Sequence, residues 1–191
     1  MTIQEEYERS AKSKKMLLWF AMISMVMLFA GFTSAYVISK SRPDWLSEFQ
    51  LPSAFLYSTL VMIVSSITFF MAVKAIKKDN RALTSTLLFV TLGLGIVFIG
   101  LQFYGFDQVM ASGYFFTGSE STITTSFLYV VVIVHLAHLF GGLVSLLIVI
   151  YNHYKQKYNA AQHIGIELSA TFWHFLDFLW LYLFVFFTFY K

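Results

Sequence analysis

The chain has 191 residues, 58% of them hydrophobic, against roughly 45–50% in soluble domains. Its charged residues, 13 Lys and Arg and 10 Asp and Glu, fall in clumps between long apolar stretches, which excludes an ordinary soluble globule. With no Cys, disulfides, thiolate metal sites, iron–sulfur ligands and a cysteine nucleophile are excluded too. A net charge of +3 does not point to nucleic acid, because the basic residues flank apolar stretches, where they set membrane orientation.

Residues 1–15 form a polar tail of mixed charge, with Glu5, Glu6 and Glu8 against Arg9, Lys12, Lys14 and Lys15. Residues 16–38 then run without a charged residue and make a first span. Lys14-Lys15, the apolar run and Thr33-Ser34-Ala35 imitate the three regions of a signal peptide, but the acidic head, the length of the run and the later spans favour a retained helix. A polar connection with Lys40, Arg42, Pro43, Asp44 and Glu48 leads to a second span at 53–73, closed by Lys74, Lys77, Lys78, Asp79 and Arg81. The third span, 83–104, carries Gly93, Gly95 and Gly100. Glycines there allow close helix approach, although glycine is also commoner in membrane helices generally. A polar loop over 107–121, holding Gly113, Gly118 and Glu120, precedes a long fourth span at 122–151. Lys155 and Lys157 lie in the next connection, and the fifth span is 164–190.

The expected architecture is therefore all-α, a single membrane domain of five transmembrane helices. On one side of the membrane the tail and the two basic turns hold four, four and two Lys and Arg; the other side holds Lys40, Arg42 and Lys191. That bias places the N-terminus in the cytoplasm and the C-terminus in the periplasm.

Five ionisable groups lie inside spans: His135 and His138 in the fourth, and Glu167, His174 and Asp177 in the fifth. A charged side chain at the bilayer centre costs about 2.5–3.5 kcal/mol on insertion scales, so these groups are expected to face protein, water or each other. Counting outward from the connecting loop, His138 and Asp177 fall at the same depth. Glu167, His174 and Asp177 share one helical stripe, and His135 shares a face with His138. The expectation is a hydrogen-bonded cluster joining His135 or His138 to His174 and Asp177. Three histidines also suit a zinc triad, and facing histidines suit haem. Against these stand the chance frequency of i,i+3 histidines and the water access or room for a macrocycle that such sites need. Glu167, His174 and Asp177 could relay protons; a satisfied network that fixes helix packing is the plainer reading.

The fifth span reads His163-Ile-Gly165-Ile-Glu167 and then Phe172-Trp173-His174-Phe175-Leu-Asp177-Phe-Leu-Trp180. It resembles the terminal signature of subunit III of haem–copper oxidases, His-x-Gly-x-Glu followed by Tyr-Trp-His-Phe-Val-Asp-x-x-Trp. His135-Leu-Ala-His138 with Gly141-Gly142 is similar to that family's His-Gly-Leu-His motif. Phe29-Ala30-Gly31-Phe-Thr-Ser-Ala35-Tyr36 is similar to its Phe-Gly-Gly-x-x-x-Ala-Tyr, and Gln102 stands at a common family Gln.

The resemblance implies a cofactor-free accessory subunit of a proton-pumping terminal oxidase, a multi-pass protein of the bacterial inner membrane without catalytic, cofactor or metal residues of its own. Haem and copper would belong to partner subunits I and II, and phospholipid would be bound. It also implies the five-helix form, whose first helix aligns with the third of seven-helix members; the face so left open would meet lipid or another respiratory complex. Where the family shows Ile-Ser-Glu-Val-Met, this chain has Ile23-Ser24-Met25-Val26-Met27, so a proton-transfer role built on that glutamate does not carry over. Gly105 likewise stands where a Glu is frequent, and Leu136-Ala137 replace Gly-Leu. A small independent proton-coupled transporter and a haem-bearing membrane electron carrier are the alternatives.

Overall fold

The computed structural model describes residues 3–46, 50–118, 121–160 and 162–190. Glu48, Glu120 and Lys191, used in the sequence reading, lie outside them. Five helices follow in order: α1 (Ile3–Ile38), α2 (Ser53–Lys77), α3 (Arg81–Ala111), α4 (Ile123–Tyr154) and α5 (Ile164–Phe189). All five are long and apolar enough to cross a membrane. Among the described residues there is no β-strand, only an isolated bridge between Phe115 and Ser121.

Helix ends depart from the predicted spans where local chemistry extends them. The N-terminal tail continues α1 as helix from Ile3, with Glu5 and Glu6 in the first turn, where the helix dipole favours acids. The loop expected from 107 begins only after Ala111. Asp107 and Gln108 are helical, and the Gln108 side chain accepts from the Ala54 amide at 3.4 Å. Gly113 then supplies the positive φ of 84° that closes α3, with Gly113 N–H donating to the Met110 carbonyl and Tyr114 N–H to Val109. The same closure ends α2 and α4 with Asp79 (φ 55°) and Gln156 (φ 60°) in place of glycine. Asn80 caps α3 by accepting from the Leu83 amide, and Thr122 and Thr125 cap α4 reciprocally.

Packing contacts join α2 to α3, α3 to α4, α4 to α5 and α5 back to α2, a ring of four helices; α1 leans on the α4–α5 seam. At the centre of the ring, Trp173 of α5 is fully buried and donates its indole N–H to Ser65 of α2 at 3.2 Å. A Cβ on Gly95 of α3 would stand 2.9 Å from its ring, and one on Gly142 of α4 would stand 3.5 Å from the ring and 2.9 Å from Leu176. Gly93, Gly100 and Gly141 have nothing within 4 Å. Of Gly93, Gly95 and Gly100, only Gly95 serves close approach; Gly105, further along α3, admits the Phe55 ring of α2, 3.0 Å from where a Cβ would stand.

Two turns further along α5, Trp180 donates to Thr59 of α2 at 3.0 Å. Gln102 of α3 donates to Ser58 at 2.8 Å, and Thr68 and Thr91 pair at 2.8 Å. Each pair satisfies polar groups otherwise stranded in hydrocarbon. On α1 the buried residues Met22, Phe29, Thr33 and Tyr36 form one helical stripe. The α1 contact is concentrated at its far end, where Tyr182 of α5 donates to Thr33 at 3.0 Å and Tyr36 lies 4.6 Å from Trp45. Outside the membrane, the Arg42 guanidinium 3.1 Å from Asp44 holds that carboxyl below the usual carboxylate range, and burial pushes the Tyr158 phenol up. Arg81 bonds to Gln156 and to the Tyr158 carbonyl, tying the two basic connections together.

Candidate functional site

The polar groups predicted to meet between α4 and α5 separate into four places. His135 is fully buried, and among the described residues neither of its ring nitrogens has a hydrogen-bond partner. Trp180, Phe98 and Phe29 surround it at centroid distances of 5.2, 6.2 and 6.4 Å. His138 turns back on its own helix, with Nδ1 2.7 Å from the Val134 carbonyl and its ring edge-on to Phe29. His174 faces α2: its Nδ1 lies 2.7 Å from the Ser66 hydroxyl and 4.0 Å from Asp177. Glu167 lies toward the basic end, 2.7 Å from Lys77 and 3.2 Å from His163.

The expected cluster linking α4 to α5 is thus not formed. Depth follows the prediction, because Ser145–Ser169, Gly142–Trp173 and His135–Trp180 make one antiparallel ladder that sets His138 level with Asp177. Rotation does not. Trp173 and Trp180, seven residues apart, take the inward line of α5 and so turn His174 and Asp177 toward α2. Among the described residues, neither Asp177 oxygen has a hydrogen-bond donor, although both are buried. Sequence reasoning missed Ser66, Ser65 and Thr59, the α2 hydroxyls that meet α5. The signal was present: a span with Ser58, Thr59, Ser65, Ser66 and Thr68 is unusually rich in groups that need partners inside hydrocarbon.

The remaining signature residues have structural positions. His163 stands immediately before α5 and its carbonyl accepts from the Ile166 and Glu167 amides. Gly165 lies against the Tyr158 ring, where any Cβ would collide. Phe175 lines a cavity of about 420 Å³ with Val26, Phe29, Ala30 and Tyr182 at the α1 seam. Among the described residues, no three His, Asp or Glu side chains come together as a metal-holding group. The three histidines are also kept apart: His135 faces aromatic rings, His138 turns to the Val134 carbonyl of its own helix and His174 turns to Ser66 of α2.

A ring of four apolar helices, keyed by tryptophan against glycine and serine and flanked by a fifth helix, defines a multi-pass membrane protein. The profile of the family described as cytochrome c oxidase subunit III matches residues 9–191. Among curated relatives, the cytochrome c oxidase subunit 3 of Thermostichus vulcanus is 30% identical over 85% of this chain and 80% of its own length. That of Bacillus sp. (strain PS3) is 27% identical over 91% and 84%, and the cytochrome bo(3) ubiquinol oxidase subunit 3 of Pseudomonas aeruginosa is 28% identical over 87% and 79%. The match to the Petromyzon marinus cytochrome c oxidase subunit 3 covers 64% of that longer relative. The chain belongs to the cytochrome c oxidase subunit III family.

Proposed function

We propose that this chain is the cofactor-free third subunit of a proton-pumping haem–copper terminal oxidase of a bacterial inner membrane, with its N-terminus cytoplasmic and its C-terminus periplasmic. Its work is assembly: it packs beside subunits I and II, which carry haem and copper and reduce oxygen to water, and it binds phospholipid. The observation that supports this best is where the family signature falls. Trp173 and Trp180 pin α5 to α2, while Gly142 and Gly95 admit Trp173 from the other two helices of the ring. His135, His138, Glu167, His174 and Asp177 serve the bundle, not redox chemistry. Cavities of about 440 and 420 Å³ along the α1 seam, lined almost wholly by apolar residues such as Leu18, Val144, Val26 and Phe178, suit acyl chains. The open face meets another respiratory complex.

Tagging the chain and extracting native membranes in mild detergent tests the proposal. The expected co-purifying proteins are a large haem-bearing oxidase core subunit, its copper subunit and associated phospholipid, with further respiratory proteins at the gentlest extraction. Recovery of the chain without oxidase subunits, solute transport by the purified chain in liposomes, or a haem spectrum from the chain alone would contradict it.

A further inference from the structure

Between α2 and α5 runs a groove whose apolar walls enclose a line of polar groups on α5. Glu167, Thr171, His174 and Asp177 recur along α5 at helical spacing and so form one stripe. Two cavities meet on His174. The first, about 390 Å³, is lined by Lys15, Glu167, Thr171 and His174 among apolar residues such as Phe70 and Val73. The second, about 260 Å³, is lined by His174, Ser66, Thr59 and Asp177, among apolar residues. Beyond Asp177 the wall is Phe178, Trp180, Leu181, Met62 and Ile63, with Thr59 taken up by the Trp180 indole, so the line of α5 carboxyl and imidazole groups stops there.

Asp177 is the group left without a hydrogen bond among the described residues. Its side chain is 10% exposed and both oxygens are buried without a donor, while Ser66 beside it is engaged by His174. Buried polar atoms are almost always satisfied by protein or by water, and a cavity of this size has room for several waters at about 30 Å³ each. The charged and titratable groups along the groove are Lys15 from α1, Lys77 from α2, paired with Glu167, His163 just before α5, and Glu167 and His174 from α5. Lys15, Lys77, His163 and Glu167 gather at the wide end; at the narrow one, among the described residues, Asp177 has His174 at 4.0 Å and no hydrogen bond.

We propose that this groove is a hydrated inlet, entered at the Lys15–Glu167 end, that carries water and protons past His174 to a blind terminus at the Asp177 carboxyl. A proton arriving along the water chain bonds to an Asp177 oxygen and leaves by the same route, so no charge crosses the membrane. The inlet is a property of this chain whether or not the oxidase reading holds.

Because the natural chain lacks cysteine, the single-cysteine variants Thr171→Cys and Ser66→Cys can be probed in the full chain in native membrane vesicles with a small cationic methanethiosulfonate. Phe103→Cys, on an exposed α3 position, is the lipid-facing control. The expected result is labelling at both groove positions, faster at 171 than at 66, from the Lys15 side only and faster than at 103. Infrared spectra of the purified chain should show a carboxyl C=O band that shifts promptly in heavy water and is lost in Asp177→Asn. Labelling of the Ser66→Cys variant no faster than that of Phe103→Cys overturns the proposal, as does labelling at position 66 from both sides, or an Asp177 band that does not exchange.

Discussion

The four-helix ring and α1 are held in different ways. Within the ring, every helix meets Trp173 or its line through a hydroxyl or a missing Cβ: Ser65 and Thr59 on α2, Gly95 on α3, Gly142 on α4. Against the ring, α1 touches chiefly at Phe29–Tyr36 and is otherwise separated by cavities of about 390, 440 and 420 Å³. In a membrane, where lipid tails are as apolar as Leu, shape and hydrogen bonds decide association. The ring has both in quantity, whereas α1 is held by the Tyr182–Thr33 hydroxyl pair and the aromatic cluster around Tyr36. The ring is keyed together along its length, whereas α1 is keyed to it mainly at one end.

Substitutions sharpen that contrast. Trp173→Ala should cost about 3–5 kcal/mol, read as a lowered unfolding midpoint in detergent, because it empties the point where all four ring helices meet. Gly142→Leu should cost about 1–3 kcal/mol by overpacking, whereas Gly141→Leu, one residue away and facing the α1 cavity, should stay within about 0.5 kcal/mol. Equal effects at 141 and 142 would break the contrast. Tyr182→Phe removes the bond to Thr33 and should cost about 0.6 kcal/mol, the average for such bonds in membrane helices, with increased proteolysis near the α1 end and none within the ring.

A smaller test lies outside the membrane. Arg42→Ala should return the Asp44 carboxyl toward its ordinary titration range, visible by carboxyl NMR. The sign is that of a depressed carboxylate: whatever stability the pair adds is present above the unfolded-state pKa and disappears as pH falls through the lowered value. Asp44 is open to solvent, so the effect on unfolding should be slight.

Spans, their order and the depth of each polar group could be read from sequence, because they follow from hydropathy and a fixed rise per residue. Helix rotation could not. His174 and Asp177 were expected to face α4, and the two tryptophans flanking them decided otherwise by claiming the inward line. Gly93, Gly95 and Gly100 were indistinguishable by composition, yet only Gly95 faces a neighbouring ring. The end of α3 was set four residues beyond Asp107 by Gly113 and the Gln108–Ala54 bond, not by polarity. The signature residues were found through resemblance alone; what each one touches was visible only in three dimensions.

On the proposed reading, the chain stabilises an oxidase without contributing redox groups to it. Purifying the oxidase core with and without this chain, and measuring haem and copper per core subunit together with the thermal midpoint, tests it most directly. Haem and copper should be unchanged and the midpoint lower in the core that lacks the chain. A fall in haem or copper in proportion to the missing chain, with the midpoint unmoved, would contradict it.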